Sequence, residues 1–133
     1  MKNLVYFLMI IVLVITSTAQ AQKKEERDMK DLLLNKDLKV EKLVIKNEDI
    51  TYTLGVINVT EKTWVEFDRN GKEIGKANIE KFTNDEIRIK WIFANNGADV
   101  GDVTTYRYEK NGDKMVFNVL FDDKEQGFFE ATL

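Results

Sequence analysis

From Lys39 to Leu133 apolar and polar residues alternate, and turn-forming residues interrupt the alternation at short intervals. That pattern predicts a succession of half-buried β-strands. Asp85–Phe93 shows it most cleanly, with Ile87, Ile89, Trp91 and Phe93 on one face and Glu86, Arg88 and Lys90 on the other. Thr104–Phe121 predicts a hairpin by itself, because Asn111-Gly112 is the residue pair that tolerates positive φ at both centres of a type I′ loop. Such a loop sets Tyr106 opposite Phe117 and Tyr108 opposite Met115. It gathers Thr104, Tyr106, Tyr108, Met115, Phe117, Val119 and Phe121 on one face. Asn70-Gly71 predicts a second hairpin, with Phe67 opposite Ile74 and Asp68 facing Glu73.

Eight strands are predicted in all: Lys39–Lys46, Asp49–Val59, Thr63–Asp68, Glu73–Ile79, Asp85–Phe93, the two arms of Thr104–Phe121, and Glu125–Leu133. The links between them are short, so each strand pairs with the one before it. A meander of this length removes its edges by closing, which predicts an all-β, eight-stranded antiparallel up-and-down barrel. A two-sheet sandwich is the alternative, although it normally needs a longer crossover than the sequence offers. One short helix precedes the strands: Asp28 is a capping residue, Met29, Leu32 and Leu33 share one helical face, and Asn35 is a stop signal.

Upstream the pattern changes again. Leu4–Ile15 is continuously apolar, Lys2 precedes it, and Ala19-Gln20-Ala21 follows. A basic start, an apolar stretch and small residues at a cleavage point predict a signal peptide over residues 1–21. The apolar stretch is shorter than the roughly 20 residues that span a bilayer. The expectation is an exported protein, periplasmic or extracellular, with a charged leader at 22–27, one domain at 28–133 and no stable membrane insertion after cleavage.

Composition then narrows the chemistry. The 133 residues include no Cys and no His. Without Cys the fold rests on its hydrophobic core rather than on disulfides, and thiolate chemistry is excluded. Without His the commonest general base and transition-metal ligand are missing, and so is any Ser-His-Asp triad. Twenty basic against 23 acidic side chains give a net charge of −3, one unit more acidic once Lys2 is removed. That balance argues against a nucleic-acid partner. The acidic pairs Asp99 with Asp102 and Asp122 with Asp123 fall in polar turns, where solvation leaves carboxylates ordinary and unsuited to cleaving a glycosidic bond. Asn95, Asn96, Asp99 and Asp102 bring several oxygens into one loop, but their spacing departs from the Ca²⁺-binding loop, and turn-forming residues account for them as a connection. No catalytic residue, metal or cofactor is expected, and the chain reads as a non-enzyme.

Trp64-Val65-Glu66-Phe67-Asp68-Arg69-Asn70-Gly71-Lys72 and Tyr106–Phe117 repeat one habit: an aromatic strand, a polar-Gly turn and a return strand opened by a charged residue. In this, and in the signal peptide and short helix that precede the meander, the chain resembles the small lipocalin-like (calycin-type) barrels of secreted bacterial proteins over most of residues 28–133. The resemblance implies a barrel that holds a small molecule. The Gly-x-Trp of that family's first strand has no counterpart in Lys39–Lys46, so no family binding residue transfers to a position here.

The rings Tyr52, Phe67, Trp91, Phe93, Tyr106, Tyr108, Phe117 and Phe121 are all expected to point into the barrel. They either line a pocket for an apolar or ring-bearing ligand, with the Tyr hydroxyls orienting it, or fill the barrel as core. The first case makes the chain a binding protein for a small hydrophobic ligand. The second makes it a solid envelope or protein-interaction module, with Val116, Leu120 and Phe128 as outward apolar contacts; its protein partner is not named by the sequence.

Overall fold

The structure, a computed structural model, describes residues 29–133. The expected signal peptide, the leader and the capping Asp28 lie outside the described residues. A helical turn at 29–33 leads into β1 (Lys36–Ile45), the two-residue β2 (Glu48–Asp49), a 3-10 turn (Thr51–Thr53) and β3 (Val56–Val59). There follow β4 (Thr63–Phe67), β5 (Glu73–Phe82), β6 (Glu86–Ala94), β7 (Val103–Asn111), β8 (Lys114–Phe121) and β9 (Lys124–Thr132). Every pairing is antiparallel, in the order β2-β1-β3-β4-β5-β6-β7-β8-β9, and β9 returns to pair with β1. β1 and β3 to β9 therefore close an eight-stranded up-and-down barrel, with β2 a stub folded back on the end of β1.

Closure depends on one residue without a side chain. Gly127 lies opposite Ile45 on the β1–β9 seam, and a Cβ there would sit 1.9 Å from the Val44 carbonyl oxygen. Backbone contact that close has no room for any other amino acid.

Local polar chemistry overrides alternation in the second predicted strand. Asp49–Val59 is not continuous: Asp49 Oδ1 accepts from the Thr51 amide at 3.0 Å and the Thr53 hydroxyl donates to the Ile50 carbonyl at 2.7 Å. These short-range bonds offer the backbone an alternative to the ladder and bend it into the 3-10 turn. The Thr51 hydroxyl, which also donates to Asp49 Oδ1, and then the Thr51 amide hold the Asp49 carboxyl below its usual range.

Both predicted hairpins exist, each with a different register. In β7–β8 the loop is Gly112-Asp113, with Asn111 paired to Lys114, Tyr108 to Phe117 and Tyr106 to Val119. Gly112, at φ +67°, occupies the first loop position. The slip relative to the Asn111-Gly112 loop moves each partner by two residues, an even number, so every side chain keeps its face. In β4–β5 a bulge at Glu66/Phe67 sets Phe67 opposite Glu73 rather than Ile74. Asp68 faces no strand partner there; its Oδ1 accepts from the amides of Asn70 and Lys72, both at 2.9 Å.

The two ends of the barrel differ. At one end Leu33 of the helix joins Leu38, Ile57, Val59, Ile87 and Ile89 in a core with no exposed surface. The helix is tied down there by the Lys30 amide donating to Asn84 Oδ1 at 3.1 Å and by the Lys30–Glu61 ion pair. In the middle five rings pack: Trp64 stacks on Tyr106 with centroids 4.6 Å apart, Phe117 on Phe129 at 4.4 Å and on Tyr108 at 5.6 Å. The other end, ringed by residues 46–55, 68–72, 95–102 and 122–123, is open.

Candidate functional site

Above the ring layer the barrel holds a cavity of about 850 Å³. Leu43, Leu54, Trp91, Tyr106, Val119 and Phe129 form its apolar wall, and Glu66 and Thr104 are the buried polar groups among its lining residues. The volume falls within the roughly 300–1,000 Å³ common for small-molecule sites.

Glu66 is the unusual member. It is only 6% exposed, carried inward by β4 beside Trp64. Oε2 accepts from the Trp64 indole Nε1 at 2.9 Å, and Oε1 accepts from Asn96 Nδ2 at 2.8 Å. The Asn96 side chain is itself oriented by the Ala98 amide, which donates to its Oδ1 at 3.1 Å. Burial raises the Glu66 pKa, and the two donors only partly offset it. Tyr106 ionises well above the usual phenol range, first because it is buried and then because the Glu66 charge is close. Its hydroxyl is therefore neutral at any ordinary pH.

The walls are fixed by further bonds. Trp91 Nε1 donates to Thr104 Oγ1 at 3.0 Å, orienting the indole across β6 and β7. At the mouth the Arg69 guanidinium donates to the Thr51 and Val40 carbonyls, each at 3.1 Å, and so holds the 3-10 turn beside the opening. Among the described residues no group of three acidic side chains is placed to hold a metal ion, although Asp99 and Asp102 share the 95–102 loop.

The predicted lining residues separate into groups. Trp91 and Tyr106 lie on the cavity wall. Tyr108 and Phe117 are buried in the packed part of the barrel, where the Tyr108 hydroxyl donates to the Thr83 carbonyl, and burial together with the nearby Asp85 charge raises its pKa. Tyr52 also lines the cavity, but at its mouth and from the 3-10 turn rather than from a strand, 75% exposed, because helical geometry there replaces alternation. Phe93 is 46% exposed on the outside, since an extra residue at Ile92 in the β5–β6 ladder reverses the alternation after Trp91. Phe67 also leaves the interior, because on β4 it is Trp64 and Glu66 that point in; Phe67 lines an outer groove of about 580 Å³ along β1 and β3. Phe121 keeps its inward face but lies at the rim.

Glu66, Trp64 and Phe129 went unmarked by sequence patterning. Val65 and Phe67 form the more apolar of the two faces of Thr63–Asp68, so alternation favours the wrong one. The sequence signal that could have found the site is Gly75, a glycine inside a strand, directly opposite Glu66.

Comparisons with protein-family models, with curated proteins and with solved structures return no match for this chain.

Proposed function

We propose that this protein is an exported, non-enzymatic binding barrel that holds one small apolar or amphipathic molecule in its open end. The observation that carries the reading is the cavity of about 850 Å³, apolar on its walls and bearing a few convergent polar groups at its base. A barrel built only as a solid module would pack this space as it packs the helix end. Export is supported by the charge and apolar pattern of residues 1–21. The resemblance to lipocalin-like barrels of secreted bacterial proteins supports the same function. The alternative, a solid interaction module, loses one of its expected contacts, since Leu120 is 6% exposed.

Native mass spectrometry of the protein purified from its own host tests the reading. The expected spectrum contains an adduct of small-molecule mass that disappears on denaturation. Bare protein alone, together with failure of added apolar ligands to bind, would refute it.

A further inference from the structure

We infer that the group recognised at the base of the cavity is a protonated amine, paired with Glu66, on a ligand whose body is apolar or aromatic. The inference rests on the binding-barrel reading and specifies its ligand class. Three observations carry it.

The first is the burial of Glu66 itself. A buried carboxylate is costly to desolvate, and an apolar residue would fill the position without that cost. Both oxygens accept from N–H groups, Trp64 Nε1 and Asn96 Nδ2, which is the acceptor-only role of the ionised form. Among the described residues no basic side chain forms an ion pair with it. Each oxygen of a carboxylate has a further lone pair, so a ligand ammonium has an acceptor waiting for it.

The second is the company Glu66 keeps. Trp91, Tyr106 and Phe129 line the same space, and ring faces attract cations as well as apolar groups. The third is the mouth. Asp68, Asp99 and Asp102 line the opening with Lys46 and Arg69, so the acidic groups exceed the basic ones there by one charge. That balance favours cations over anions at the mouth. A fatty-acid-like carboxylate would meet acidic groups at the rim and again at the base.

The test is isothermal titration calorimetry with three probes that share one ring body: 1-naphthylmethylamine, 1-naphthalenemethanol and 1-naphthoate. The amine is expected to bind at least about tenfold tighter than the alcohol, the ratio a charge-assisted hydrogen bond supplies, with 1-naphthoate weakest. The preference should persist at about 0.5 M salt, which screens the exposed rim but not a buried pair. Glu66→Gln should weaken the amine by at least about tenfold and abolish its preference over the alcohol, with an unaltered circular dichroism spectrum showing that the variant is folded. Should that variant not fold, the wild-type order and its salt dependence decide alone. If the alcohol or 1-naphthoate binds as tightly as the amine, or the preference survives Glu66→Gln, the inference is overturned while the binding barrel stands. If none of the three binds, both are overturned.

Discussion

Gly75 and Asn96 compete for one space: a Cβ on Gly75 would lie 2.8 Å from the Asn96 amide nitrogen and 2.8 Å from Cζ3 of the Trp91 ring. The bare backbone of β5 thus lets Asn96 reach Glu66 and leaves room for the edge of the Trp91 ring. Gly75→Ala is expected to cost about 1–3 kcal/mol, as overpacking does. In urea melts, Asn96→Ala should cost less in the Gly75→Ala background than in the wild type, because the first change has already displaced the amide. Full additivity of the two would contradict this arrangement.

Tyr106 and Arg107 are neighbours in sequence with opposite fates, one stacked on Trp64 and the other exposed. Tyr106→Ala should destabilise by about 3–5 kcal/mol in urea melts and Arg107→Ala by no more than about 0.5 kcal/mol. Equal costs would mean that β7 faces the other way.

The turns at the strand ends differ in strain. Asp122 and Asp123 both have positive φ, +51° and +60°, in the two-residue loop between β8 and β9. Asp123→Gly should therefore raise stability, by up to about 1 kcal/mol, since Gly holds that conformation without a Cβ. Gly112→Val should lower it by about 1 kcal/mol or more, for the converse reason. Thermal melts that reversed these signs would contradict the assigned loops.

Glu66 makes stability depend on pH in a definite direction. Its folded pKa is raised above the unfolded value, so between the two the native state binds more protons and loses stability as pH rises. Glu66→Gln removes that loss. The melting temperature of the variant relative to wild type should climb as pH increases from about 4.5 towards neutrality, and it should be flat below that. A difference that fell over the same interval would show that the carboxylate is stabilised by its surroundings.

The faces of β6 as far as Trp91 and of β7 are legible because aromatic and β-branched residues alternate there with charges, and the Gly-bearing turn carries the assignment across to β8, whose other face carries a charge only at Lys114. Turn chemistry placed the β7–β8 hairpin but not its phase, since Asn111-Gly112 and Gly112-Asp113 are both acceptable loops. An even slip does no harm to the faces, which is why the ring layer of Tyr106, Tyr108 and Phe117 was anticipated. Single-residue irregularities were invisible. The extra residue at Ile92 and the bulge at Glu66/Phe67 carry no compositional mark, yet they decide the sides of Phe93 and Phe67. Glu66 was hidden for a different reason: patterning assigns carboxylates to solvent, and the Trp64 and Asn96 donors make its burial tolerable.

The most direct test of the binding barrel is a calorimetric titration of the neutral probe 1-naphthalenemethanol into the wild type and into Val119→Trp. Val119 lines the cavity from β8, and an indole there would occupy the space while the rest of the barrel is unchanged. The wild type should show saturable binding of one molecule per chain, and Val119→Trp should weaken it by at least about tenfold with an unaltered circular dichroism spectrum. Absence of saturable binding to the wild type, or equal binding to a folded Val119→Trp, would contradict a ligand site in the open end.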